Sequence, residues 1–194
     1  MLPLESFTFS IETLGCKANL TDSHALSSRL AALGGRAVEE APDVFILNSC
    51  TVTDRADRDA ISILKKRKAK LRVLTGCLAE VDPNLIEKFS DSGDGAVMLA
   101  RNSAKLDLPQ AVLEKLRAPE GSARVLTGDR SQWHTQVDFA AGSELNAGTR
   151  TRAYLKVQDG CNQFCSYCII PHARGRSRSV DIDAIVGEVN AIAD

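Results

Sequence analysis

The sequence predicts an α/β protein: an open parallel sheet, then a further strand and helix that begin a second unit. Two observations carry this reading. Short apolar runs alternate with helical stretches from residue 7 to residue 118, the pattern of right-handed strand–helix–strand crossovers. One run, Val44-Phe45-Ile46-Leu47-Asn48, is apolar without alternation, as a strand covered on both faces must be.

Taken in order, Phe7-Thr8-Phe9-Ser10-Ile11-Glu12-Thr13 alternates and reads as the first strand. A helix is expected from Thr21-Asp22-Ser23, three good N-cap types, with Leu26, Leu30 and Leu33 on one stripe and Gly34-Gly35 as its stop. The second strand is 44–48, and a second helix is expected from Thr53 to about Ala69. Leu71 to Thr75 gives a third strand, Pro83 opens a short helix through Phe89, Ala96 to Leu99 is a fourth strand, and Leu108 to Leu116 a last helix. Residues 119–150 change character, with Pro119, Gly121, Gly128, Gly142 and Gly148 and few large apolar side chains except Trp133 and Phe139. They read as a linker, with Trp133 pinning it to the core and His134 as plain surface. Ala153 to Gln158 alternates like a strand, and Val180-Asp181 starts a helix with Ile182, Ile185, Val186, Val189 and Ile192 on one face.

With 194 residues and 44% hydrophobic content the chain can bury a sizeable core. A net charge of −1 names no partner. Residues 1–20 contain Glu5, Glu12 and Lys17 and no continuous apolar run, so no signal peptide is visible, and no apolar run is long enough to span a membrane. The expected compartment is cytoplasmic, where six cysteines favour metal over disulfides.

Those cysteines fall in two sets. Cys161, Cys165 and Cys168 lie within eight residues at C-x-x-x-C-x-x-C spacing, after the strand at 153–158. An iron–sulfur cube needs a ligand on each of four irons, so three thiolates would leave one iron open. Structural zinc would want a fourth ligand, and His172 is the nearby candidate. Cys16, Cys50 and Cys77 each follow a different expected strand, at the edge where open α/β sheets bind ligands. Helices starting just after Cys16 and Cys50 would aim their N-termini at such an anionic site. Either these three hold a second cluster, or they are buried core cysteines, a common fate of the residue.

The run Asp159-Gly160-Cys161-Asn162-Gln163-Phe164-Cys165-Ser166-Tyr167-Cys168-Ile169-Ile170-Pro171, with Ala173-Arg174-Gly175 after it, resembles the radical S-adenosylmethionine signature. More narrowly, it resembles the form found in the tRNA and ribosomal-protein methylthiotransferases. Thr13-Leu14-Gly15-Cys16-Lys17-Ala18-Asn19, Asn48-Ser49-Cys50-Thr51-Val52-Thr53 and Thr75-Gly76-Cys77-Leu78-Ala79 look like the three cysteine motifs of that family's N-terminal domain. The departure at Ala18, where Val is commoner, does not touch a ligand. With Ala56-Asp57-Arg58, the first two motifs look most like the branch acting on threonylcarbamoyladenosine beside the tRNA anticodon.

The resemblance implies a methylthiotransferase N-terminal domain at 1–118, a linker at 119–150, and at 151–194 the start of a radical domain. That domain would be a partial barrel continuing beyond Asp194, so the chain looks truncated. It implies two [4Fe–4S] clusters, one on Cys161, Cys165 and Cys168, and an auxiliary one on Cys16, Cys50 and Cys77. S-adenosyl-L-methionine would bind the open iron of the first, with Tyr167 against its adenine side. The implied reaction makes a 5′-deoxyadenosyl radical, removes hydrogen from carbon 2 of the adenine, inserts sulfur at the auxiliary cluster and methylates it, with no side chain as catalytic acid or base. The cofactors carry the hard steps, and the base must be splayed from its loop. Implied partners are the tRNA anticodon loop, an electron donor and a sulfur source. Three alternatives stay open: a non-catalytic iron–sulfur fragment, a methylthiotransferase of isopentenyladenosine or of a ribosomal protein, and a zinc-ribbon-like RNA-binding domain.

Basic residues cluster twice. Arg55 to Arg72 holds Lys65-Lys66-Arg67-Lys68 at a helix end, which reads as a solvated face compensating the helix dipole. Arg174, Arg176 and Arg178 flank the cysteine loop, where contact with RNA or substrate phosphates is the rival reading.

Overall fold

The computed structural model describes residues 6–86, 95–118, 124–128 and 154–193. Six strands form one sheet in the order β2-β1-β3-β4-β5-β6, all neighbours parallel. They are β1 (Phe7–Thr13), β2 (Gly35–Ala37), β3 (Val44–Ser49), β4 (Leu71–Gly76), β5 (Ala96–Ala100) and β6 (Arg124–Leu126). The expected α/β class is what the chain adopts.

Strand β3 explains the architecture. Alternate side chains of a strand point to opposite faces, and here both faces are covered. Val44 and Ile46 pack with Phe7, Phe9, Leu26 and Leu30 on one side, under α1 (Lys17–Ala32). Phe45 and Leu47 pack with Ala60 and Leu64 on the other, under α2 (Asp54–Lys66). The chain runs from β1 outward to β2 and then back to β3 on the far side of β1. The direction of winding therefore reverses between β1 and β3, and the crevice at their carboxyl ends is the natural ligand position of such a sheet.

Several elements differ from expectation. Helix α1 begins at Lys17, with Cys16 as its N-cap residue, not at Thr21. Thr21, Asp22 and Ser23 look like caps but are buried inside the helix, and their polar atoms have other partners. The Thr21 hydroxyl donates to Ala18 O (2.9 Å), and Ser23 Oγ accepts from Asn48 Nδ2 (2.9 Å). Thr53 does cap α2, its hydroxyl accepting from Ala56 N at 3.2 Å, but the helix stops at Lys66. Short α3 (Cys77–Val81) was not expected; it starts directly at the end of β4, where Gly76 takes φ +96°.

The helix expected from Pro83 is a 3₁₀ turn, Pro83–Ile86, within the described residues. Helix α4 (Leu108–Arg117) is as read. Strand β6 lies inside the stretch expected as linker, paired to β5 through Met98, Leu99 and Ala100. Trp133, His134 and Phe139 lie outside the described residues.

Among the described residues of the strand expected at 153–158, only Gln158 pairs in a ladder: β7 (Gln158–Asp159) meets β8 (Arg178–Ser179) antiparallel. Between them the cysteine loop leads into an unforeseen short helix, α5 (Ile170–Arg174). Helix α6 (Ile182–Ala193) follows, with Ile182, Val186 and Val189 exposed.

Candidate metal centre

Cys16, Cys50 and Cys77 stand at the carboxyl ends of β1, β3 and β4, which are consecutive neighbours in the sheet. Parallel pairing in register brings the three strand ends to one edge, Thr13 opposite Asn48 and Ser49 opposite Gly76. The loops beyond them are laced together. Leu14 N donates to Asn48 O (2.9 Å). Asn19 Nδ2 donates to Leu14 O and Ser49 O, both at 2.9 Å, and Asn48 Nδ2 donates to Asn19 O (2.8 Å). The Ser49 hydroxyl donates to Thr75 O (2.6 Å). Buried bonds of this kind each add about 1 kcal/mol, and together they hold the cysteine-bearing turns before any ligand arrives.

Two glycines let the turns approach. Gly15 has φ +98°, and a Cβ there would lie 2.6 Å from Cys50 Cβ and 2.8 Å from its Sγ. At Gly76, φ +96°, a Cβ would lie 2.3 Å from Ser49 O. Both backbones favour glycine, and both lie beside a cysteine.

Cys16 is exposed, Cys50 and Cys77 are buried. Burial pushes the Cys77 thiol up, against the pull of Arg174 and Lys105, while Cys50 and Cys16 add to the rise. Asn102 Nδ2 lies 3.9 Å from Cys77 Sγ. Cys16 is the N-cap residue of α1, without a side-chain cap bond, and Cys77 opens α3, so helix N-termini meet this edge beside the first and third cysteines. Helix α2 begins four residues beyond Cys50.

The second cysteine set lies on the loop between β7 and α5. Gly160, φ +75°, could carry no Cβ, which would fall 2.2 Å from Arg176 O. Cys161 N donates to Gly175 O (3.1 Å), and Cys168 N to Cys165 O (2.9 Å). Asn162 Oδ1 accepts from Ser177 N (3.0 Å), and Phe164 adopts φ +48° at the turn. Tyr167 is 89% exposed, open to a ligand approaching beside Cys168. His172, the alternative zinc ligand, stands edge-on to the Phe164 ring, centroids 6.1 Å apart.

Among the described residues no three His, Cys, Asp or Glu side chains gather as a single metal ion would need. A tetrahedral ion draws its sulfurs to about 2.3 Å from one point, whereas a cubane takes one thiolate per iron and holds them farther apart. Three thiols stand on turns that converge at one edge, and a cluster would take one of them on each of three irons. Unpartnered buried atoms at that edge, Asn48 Oδ1, Thr75 Oγ1, Asn102 Oδ1 and Arg174 Nε, are consistent with a polar guest.

The two cysteine sets share this edge. Helix α5 packs on α3, and Asn102 Nδ2 donates to Ala173 O at 2.8 Å. The Lys17 ammonium lies 4.8 Å from the centre of the Tyr154 ring. Beneath them is a buried ionic cluster that the sequence did not announce. Asp22, 2% exposed, takes Lys105 Nζ at 2.8 Å, Arg174 Nη2 at 2.7 Å and the Lys156 ammonium. Asp159 takes both its oxygens to Arg174 Nη1 (2.7 and 2.9 Å) and pairs with Arg178 at 3.3 Å and Lys156 at 3.5 Å.

Burial would push the Asp22 carboxyl up, but Lys105, Arg174 and Lys156 outweigh it and hold the group well below the usual range. Asp159 is held down in the same way, Arg174 and then Lys156 overcoming burial. Arg174 and Arg178, weighed above as phosphate contacts, are thus 5% and 6% exposed and engaged with carboxylates; Arg176 lies over the Phe164 ring. The other basic stretch is divided too. Arg67 meets Glu12 (2.8 Å), Lys70 meets Asp43 (2.9 Å) and Arg72 is buried.

An α/β sheet with one cysteine at the end of each of three neighbouring strands, and a second three-cysteine loop docked on the same edge, defines a protein with paired cysteine sites. Comparison with known proteins shows what such a chain is similar to. Residues 8–97 match the family described as Uncharacterized protein family UPF0004. The chain is 35% identical over 190 residues to the threonylcarbamoyladenosine tRNA methylthiotransferase of Aquifex aeolicus, covering 95% of this chain and 44% of that protein. It is 32% identical to the tRNA-2-methylthio-N(6)-dimethylallyladenosine synthase of Bacteroides thetaiotaomicron (92% and 39%), and 29% identical to the Bacillus subtilis threonylcarbamoyladenosine tRNA methylthiotransferase (96% and 41%). The chain belongs to the radical S-adenosylmethionine methylthiotransferase family. It spans less than half the length of these relatives.

Proposed function

We infer that this chain is part of a tRNA methylthiotransferase that adds a methylthio group to carbon 2 of N6-threonylcarbamoyladenosine beside the anticodon. The observation that carries the reading is three cysteines at neighbouring strand ends, with α5, two residues past Cys168, packed on α3 beside them, in a chain 35% identical to an enzyme named for that base. Cys161, Cys165 and Cys168 would hold one [4Fe–4S] cluster, and Cys16, Cys50 and Cys77 the auxiliary one. When bound, the clusters and S-adenosylmethionine supply radical generation, sulfur and the methyl group.

The chain's own part is placement. The hydrogen bonds of Asn19, Asn48 and Ser49 fix the auxiliary turns. Gly160 and Asn162 tie the other loop to residues 175–177, and Tyr167 would lie along the adenine of S-adenosylmethionine. Residues 1–118 form the proposed N-terminal domain, 119–150 the linker, and 151–194 the start of the radical domain. The tRNA anticodon loop, an electron donor and a sulfur source are its proposed partners. Its proposed place is the cytoplasm, and no helix among the described residues is long and apolar enough to cross a membrane.

Similarity of 32% to a dimethylallyladenosine enzyme favours a second reading, in which the hydrophobic N6 substituent is the target. Full-length reduced enzyme, given S-adenosylmethionine and tRNA carrying each base in turn, should release 5′-deoxyadenosine and convert the threonylcarbamoyl base. Conversion of the dimethylallyl base alone would select the second reading. Clusters that never cleave S-adenosylmethionine would mean a non-catalytic iron–sulfur module.

A further inference from the structure

We propose that Arg174 is a positioning residue that joins the two cysteine sites, docking the second loop on the sheet edge and placing a buried positive charge beside the auxiliary thiolates. The proposal rests on the reading of Cys16, Cys50 and Cys77 as cluster ligands, and assigns a residue outside that ligand set.

Three features of the geometry support it. First, Arg174 is the last residue of α5, six positions after Cys168, yet its guanidinium reaches the N-terminal domain. Nη2 donates to Asn19 Oδ1 (3.0 Å) and Asp22 Oδ2 (2.7 Å), while Nη1 grips Asp159, two residues before Cys161. One planar cation thus spans α1, which starts beside Cys16, and β7, which delivers Cys161. Only a guanidinium offers donors in a fork wide enough for both carboxylates. Second, its neighbour Ala173 accepts from Asn102 Nδ2, the same nitrogen that lies 3.9 Å from Cys77 Sγ.

Third, the charges do not balance. Among the described residues, Lys105, Lys156, Arg174 and Arg178 face the two carboxylates Asp22 and Asp159, leaving positive charge in excess in that cluster. Arg174 Nε is buried with no hydrogen-bond partner. Buried charge is tolerated when compensated, and Cys77, whose Sγ lies 3.9 Å from the Asn102 nitrogen that bonds Ala173 O, stands where an anionic cluster would compensate it. Cluster potentials respond to nearby charge and hydrogen bonds. Arg174 therefore stabilises the more negative, reduced form of the auxiliary cluster.

The test uses this 194-residue chain with Cys161, Cys165 and Cys168 replaced by alanine, reconstituted and titrated under EPR observation so that only the auxiliary cluster is read. Arg174→Gln should lower the reduced-to-oxidised ratio about tenfold at fixed solution potential, a downward shift of about 59 mV for one electron. Arg174→Lys, which keeps the charge and loses the fork, should hold the potential near that of the parent. In the chain with all cysteines, both variants should speed hydrogen exchange at 77–81 and 170–174. Asp22→Asn should move the potential upward, a reversal of sign that mere loosening cannot produce, and it carries the test if Arg174→Gln does not fold. Equal potentials for parent, Arg174→Gln and Asp22→Asn would overturn the proposal while leaving the cluster reading intact. A parent that holds no iron would overturn the cluster reading and this proposal with it.

Discussion

Asp22→Ala is expected to cost this chain about 3–5 kcal/mol of stability, the usual result of removing one partner from a buried ionic cluster. The carboxylate is 2% exposed and answers Lys105, Lys156 and Arg174. Its loss leaves those cations buried with only Asp159 among them. Urea unfolding at neutral pH measures the change, with Arg55→Ala as comparison: that exposed pair with Asp59 should contribute almost nothing. A loss for Asp22→Ala no larger than for Arg55→Ala would mean the cluster is not formed.

The same groups predict an acid limb. Asp22 and Asp159 have folded pKa values held below the unfolded value of about 3.9. Their stabilisation is therefore complete above that value and is lost as pH falls through the folded values. Asp22→Asn, which cannot titrate there, should show a shallower loss of stability between about pH 4 and pH 2.

The second large effect concerns the cysteines. Cys161→Ala should abolish 5′-deoxyadenosine formation by the full-length enzyme while its auxiliary cluster stays near stoichiometric. The two sets of thiols sit on separately braced turns, one laced by Asn19, Asn48 and Ser49, the other by Gly175 O and Ser177 N. Cys50→Ala should do the reverse, sparing S-adenosylmethionine cleavage and stopping sulfur insertion. Complete loss of iron from Cys161→Ala would defeat the two-site account. Normal methylthiolated product from Cys50→Ala would defeat the assignment of the auxiliary ligands.

Much of this was legible in the sequence because the informative signals are local. The apolar run at 44–47 and the short stretch at 71–75 gave β3 and β4, and the six cysteines stood out by spacing and by their place after strands. What was not legible depends on contacts between distant residues. Thr21-Asp22-Ser23 carry the chemistry of a helix cap, but inside α1 their partners are Ala18, Asn48, Lys105, Lys156 and Arg174. Asp22 and Arg174 are 152 residues apart, and no periodicity reports such a pair.

Strands β2 and β6 are three residues each, too short for an alternation to register, and they exist because β1 and β5 offer open edges. Helices α3 and α5 span five residues apiece and owe their place to packing on one another. Asn19 and Asn48 were visible beside the cysteines, yet their service to the backbone of neighbouring turns needed the fold to be seen. Arg174 and Arg178 looked like a basic surface because charge in a sequence carries no sign of burial.

The central claim is that two separate thiolate triads each build a four-iron cluster. Iron and acid-labile sulfide per chain after anaerobic reconstitution, with a Mössbauer spectrum, tests it most directly. Two cubanes predict about eight irons and eight sulfides per chain. Zinc bound with neither iron nor sulfide would contradict the account and return the chain to a zinc-dependent RNA-binding domain.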